Sequence, residues 1–208
     1  MRLDKPDSES RVEITKRKLI ISEGVDDKHF FDVLFKHLEL TNIQSEQIEG
    51  KTKLKSNLKA LILQTGFSSL DSFVITRDAD EDHKAAFQSV CGALKDCGLD
   101  IPPKPGVFTS GKIRIGIFIF PGSGKDGCLE DLCIEAVNQK PEFSCVESYF
   151  QCLQDLGIKT KHLSKAKSRV FVASIDGEIT HLGRACERKC WSLDAPAFIP
   201  LIKFLKQM

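Results

Sequence analysis

Ser72-Phe73-Val74-Ile75-Thr76-Arg77-Asp78-Ala79-Asp80-Glu81-Asp82 is the stretch on which the fold turns. Five residues of strand character run directly into a set of acids. An earlier stretch has the same form, with Leu19-Ile20-Ile21-Ser22 delivering Glu23-Gly24. Short apolar runs separated by helical patterns indicate parallel strands, and an open parallel sheet binds its ligands beyond the carboxyl ends of those strands. Both acidic clusters therefore fall on the functional edge. Carboxylates brought close together repel, and either a raised pKa or a hard divalent cation relieves them. Helix capping is the competing account, because Asp26, Asp27, Asp80 and Asp82 all precede helical patterns. Capping needs one acid per helix, and here there are several.

Working outward, the chain predicts a helix from about Asp26 to Leu38, a short strand near Gln44 to Ile48, and a lysine-rich helix carrying Leu54, Leu58, Leu61 and Ile62. After the strand at 72–76 comes a helix from about Asp82 to Cys97, then a loop opened by Pro102, Pro103 and Pro105. A strand at 113–120 leads through Pro121-Gly122-Ser123-Gly124-Lys125-Asp126-Gly127 into a helix-like stretch at 129–137. There Glu130 and Asp131 form a third acidic cluster at a strand end. The glycine turn is not a phosphate loop: Ile119 stands where the first glycine is required, and Asp126 follows the lysine in place of Ser or Thr. Further helices are expected at about 145–154 and 197–206. Residues 169–175 are locally ambiguous and are assigned to helix.

Three sections are expected: a polar segment at 1–17, where Val12 and Ile14 alternate as in an edge strand, an α/β domain at 18–176, and a C-terminal extension at 177–208 with a short helix. At 208 residues, 41% hydrophobic and 28% charged, the composition is that of a globular protein. No apolar run reaches membrane-spanning length, and residues 1–17 lack the apolar stretch of a secretory signal, so a cytoplasmic location is the default. The eight cysteines then read as thiols, mostly buried small hydrophobes, with Cys186, Cys190 and His181 a weak zinc combination. Net charge is +1. That average conceals two basic runs, Lys51, Lys55 and Lys59 on one helix face, and Lys159, Lys161, Lys165, Lys167 and Arg169. Each reads as a solvated face or as a flank for a polyanion.

A hydrophobic strand ending in Glu23-Gly24, some fifty residues of spacer, and a hydrophobic strand ending in Asp78-x-Asp80 together resemble the Toprim domain. That superfamily includes primases, topoisomerases, repair proteins, small ribonucleases and the OLD-family nucleases. Asp27, four residues after Glu23, and the Gly127-x-Leu129-Glu130-Asp131-Leu132 stretch resemble the OLD-like branch and its small standalone relatives, over roughly residues 18–170. The resemblance implies a Rossmann-like, mostly parallel sheet flanked by helices, with additional C-terminal helices. It implies that Glu23, Asp27, Asp78, Asp80, Glu130 and Asp131 hold one or two Mg²⁺ or Mn²⁺ ions. Glu23, Asp78 and Asp80 would be catalytic, with Glu23 alternatively a general acid or base, and Lys165 or Lys167 would steady charge on a scissile phosphate. Arg77 and Asp82 would support the ligands, and Lys51, Lys55 and Lys59 would meet nucleic acid. The expected activity is metal-dependent phosphodiester hydrolysis, with DNA favoured over RNA. A non-catalytic nucleic-acid-binding module and a small Toprim ribonuclease stand as alternatives. The ATPase domain of full OLD proteins has no counterpart here, so energy coupling would need a separate ATPase partner.

Overall fold

The computed structural model describes residues 13–48, 53–179 and 181–208. Four strands, β1 (Lys18–Ser22), β2 (Ile43–Gln47), β3 (Ser72–Asp78) and β4 (Arg114–Phe120), form one all-parallel sheet in the order β2-β1-β3-β4. The helices are α1 (Val25–His37), α2 (Leu54–Ile62), α3 (His83–Asp96), α4 (Leu129–Glu135), α5 (Pro141–Asp155), α6 (Leu163–Ile175), α7 (Leu182–Glu187) and α8 (Ile199–Leu205). The ambiguous stretch at 169–175 is the second half of α6. Residues 13–17 precede the first strand rather than adding an edge strand, while Val12 lies outside the described residues. No described helix is long and apolar enough to cross a membrane.

Strand pleating sorts the apolar runs between two cores. Ile20, Val74, Phe118 and Phe120 face one side, packing with Phe30, Phe31 and Leu34 of α1 and with residues of α4 to α8. Leu19, Ile21, Phe73, Ile75, Ile115, Ile117 and Ile119 face the other side, against Leu58 and Leu61 of α2 and Val90 and Leu94 of α3. Because both faces are covered, the strands read as continuous apolar runs rather than alternating ones. Each such side chain, fully removed from water, contributes roughly 1.5–3 kcal/mol. Gly116 in β4 is required by this packing. A Cβ there would come within 2.8 Å of Phe108 and 2.9 Å of Phe204, whose rings stack 4.8 Å apart over the strand.

The C-terminal extension shares the first core, contributing Leu182, Ala185, Trp191, Phe198, Leu201, Phe204 and Leu205. Three histidine–carboxylate pairs join it to α1: His181–Asp26 at 3.2 Å, His29–Glu187 at 3.0 Å and His37–Asp194 at 2.8 Å. From β1 the chain crosses through α1 to β2, and from β3 it crosses through α3 to β4 in the opposite direction. The two central strands, β1 and β3, thus bound the crevice where this topology binds ligands.

Candidate metal centre

Asp78 is the last residue of β3 and pairs in register with Phe120, so its side chain emerges at the carboxyl end of the sheet on the α1 and α4 side. The Leu129 amide, in the first turn of α4, donates to its Oδ1 at 3.1 Å. Glu130 follows in the same turn. Ligand-capable atoms of Asp78, Glu130 and Cys128 all lie within 4.8 Å of one another, the one such group of His, Cys, Asp and Glu among the described residues. Lys165 reaches in from α6, its Nζ 3.6 Å from Asp78 and 3.9 Å from Glu130.

Asp27 completes the cluster from the first turn of α1, where its Oδ2 also accepts from the Gly24 amide at 3.3 Å. Burial, then the charges of Asp78 and Glu130, push the Asp27 carboxyl up to about 7 against the opposing pull of Lys165 and the Gly24 amide. Burial likewise raises Asp78 to about 6; Lys165 and the Leu129 amide oppose the rise, while Glu130 and Asp80 add to it. Burial pulls Lys165 down, but Glu130, Asp78 and Asp27 outweigh it and the ammonium ends above its ordinary value. Three half-buried carboxyls with one ammonium form a donor set with surplus negative charge. An oxygen-seeking divalent cation fits it.

The pleat splits the expected trio of Glu23, Asp78 and Asp80. Arg77 and Asp78 are adjacent in β3 and project to opposite faces. Glu23 goes with Arg77, its Oε1 lying 3.2 Å from the guanidinium Nε, and Arg77 also donates to Ser89 of α3 at 2.7 Å. Asp80 is exposed, with a left-handed backbone (φ 52°) held by reciprocal 2.8 Å hydrogen bonds with Gly127, and it touches the centre through its charge on Asp78.

Several further expectations meet a different geometry. Asp131 closes the N-terminus of α4: it accepts from the Cys128 amide at 2.8 Å, from the Cys128 thiol at 3.2 Å and from the Ser164 hydroxyl. These bonds hold the turn, and Asp131 lies outside the group formed by Asp78, Glu130 and Cys128. Asp82 caps α3, accepting from the Ala85 amide at 2.9 Å. Lys167 lies two residues from Lys165, about 200° around the helix at 3.6 residues per turn. It pairs with Glu147 of α5 at 2.7 Å, away from the acids. Lys55 is held by Asp96 at 2.5 Å, Lys59 is exposed, and Lys51 lies outside the described residues.

Sequence reasoning missed Cys128, grouping it with the other cysteines as a small hydrophobe of a helical stretch. Its neighbours Gly127 and Glu130 were the available signal. Gly127 has φ 130°, and a Cβ there would meet Asp131 Oδ2 at 2.5 Å, so only glycine lets the turn close and present Cys128 and Glu130 together.

Residues 17–208 match the family described as "Protein of unknown function (DUF3226)". The chain belongs to that family. Among solved structures, the C-terminal region of the Xanthomonas campestris pv. campestris OLD protein phased with iodine is similar to this DUF3226 member, with 12% identity and a TM-score of 0.47 over 93% of this chain and 96% of that one. The same region phased with mercury gives 13% identity and a TM-score of 0.39 over 85% and 81%. No curated protein matches the chain.

Proposed function

We propose that the protein is a nuclease dependent on Mg²⁺ or Mn²⁺ that hydrolyses phosphodiester bonds, with DNA as its polymer. The observation that carries this reading is the convergence of Asp27, Asp78 and Glu130, from three chain segments, on Lys165 at the crevice between β1 and β3. A divalent ion held by these carboxylates would supply Lewis-acid polarisation of a phosphate and a water activated at neutral pH.

The chain's own groups then have defined tasks. Asp78 and Glu130 present oxygens for the cation, and Asp27 stands beside them as a third carboxyl whose repulsion from Asp78 and Glu130 a bound cation would relieve. Lys165 offsets part of the cluster's charge and offers an ammonium to a bound phosphate, as a point charge rather than a planar fork. Exposed Lys159 and Lys161 lead into α6, and exposed Arg169 lies further along it, a basic approach suited to a polyanion backbone.

The test is a cleavage panel of supercoiled plasmid, linear DNA and structured RNA with Mg²⁺ and with Mn²⁺. Asp78→Asn combined with Glu130→Gln should lower cleavage by at least about 100-fold while the fold is retained. Unchanged cleavage in that double variant sinks the proposal. Binding of Mn²⁺ with no cleavage of any of the three polymers would assign a nucleic-acid-binding module instead.

A further inference from the structure

A thiol among the oxygens gives the centre a donor of a different kind. Cys128 is 7% exposed, and its Sγ lies within 4.8 Å of the ligand atoms of both Asp78 and Glu130. Hard ions such as Mg²⁺ take oxygens and leave sulfur aside, whereas Cd²⁺ and Zn²⁺ favour thiolate, Zn–S at about 2.3 Å and Zn–O at about 2.0–2.2 Å. Ligands at those lengths around a tetrahedral ion stand roughly 3.5 Å apart, a spacing comparable to the 4.8 Å within which the ligand atoms of these three side chains already lie.

Resting on the metal-centre reading above, we infer that Cys128 makes the centre selective among cations, so that a thiophilic ion bound by Cys128, Asp78 and Glu130 displaces Mg²⁺ or Mn²⁺ and silences the site. A metal–sulfur bond forms and the S–H bond breaks. The proton leaves toward Asp131, whose Oδ2 already accepts it at 3.2 Å, and from there to solvent. No electron changes hands. The geometry also explains why the thiol faces the acids instead of the apolar core: the Gly127 turn and the Asp131 cap fix the orientation of residue 128.

The experiment follows Mn²⁺ bound to the full chain by its electron paramagnetic resonance signal, in wild type, Cys128→Ser and Cys128→Ala. Mn²⁺ is displaced with Cd²⁺ and, separately, with Mg²⁺. The readout is the ratio of the free Cd²⁺ to the free Mg²⁺ that releases half of the Mn²⁺, which cancels any change in Mn²⁺ affinity. The other seven cysteines, including exposed Cys145 and Cys152, are common to all three proteins. The expected ratio is lower in wild type than in either variant by about tenfold or more. An equal ratio in wild type and in whichever variant folds overturns the role of Cys128 and leaves the metal centre standing. Failure of wild type to bind Mn²⁺ removes the centre and this inference with it.

Discussion

At the residue scale the distinctive property is that Asp27 and Asp78 sit above the ordinary carboxyl value of 3.8, at about 7 and about 6. A raised folded-state pKa means that the folded protein binds more protons than the unfolded chain, so this contribution to stability is complete below about pH 4 and is lost as pH rises through 6 to 7. In EDTA, the thermal midpoint of the wild type relative to an Asp27→Asn, Asp78→Asn variant should fall across pH 4.5 to 8, by about 2–4 °C per kcal/mol. A pH-independent difference between the two proteins would contradict the assigned burial and repulsion. Adding Mn²⁺ at pH 7.5 should raise the wild-type midpoint, by about 2.7 kcal/mol of stabilisation at 100 times the dissociation constant, and leave the variant where it was. The two lysines should also separate. Lys165→Ala lowers cleavage, while Lys167→Ala, which breaks only a pair with Glu147, leaves the cleavage rate near wild type in the same plasmid assay.

At the element scale the turn from β4 to α4 places Cys128 and Glu130. Gly127→Ala forces a side chain into the left-handed region and onto Asp131, and should cost about 1–3 kcal/mol, read as a lower urea midpoint with an unchanged slope. Removing the cap by Asp131→Ala should cost about 1 kcal/mol. It should also weaken Mn²⁺ binding, because α4 then no longer holds Glu130 against Asp78.

Element by element, the strands and most helices were legible because apolar runs and helical periodicity are local properties. The acidic strand ends were legible for the same reason. What could not be read was direction. Glu23 and Asp78 look equivalent in sequence, yet one extends to the α3 side with Arg77 and the other to the α4 side with Leu129. Asp131 and Glu130 are neighbours, and only the reach of Ser164 and the Cys128 amide decides which becomes a cap. Arg77 for Glu23, Leu129 for Asp78 and Ser164 for Asp131 are distant in sequence, so local pattern could not reveal them.

At the scale of the whole molecule the C-terminal extension is core rather than appendage, since Trp191, Phe198 and Leu201 are each 1% exposed or less. Deleting residues 177–208 should therefore yield a chain that binds hydrophobic dyes and lacks a cooperative thermal transition, even though every proposed metal ligand is retained. A truncated protein that melts cooperatively would show that the sheet and its first six helices suffice.

The three histidine–carboxylate pairs along α1 give that result a mechanical side. Asp27 rides at one end of a thirteen-residue rod whose flank is gripped at Asp26, His29 and His37 by residues from 181 to 194. The carboxyl that must meet Asp78 and Glu130 is thus aimed by a brace more than 150 positions later in the chain. Loosening the brace at His37, ten residues from Asp27, would detune the centre without touching it, as slackening a guy-wire tilts a mast.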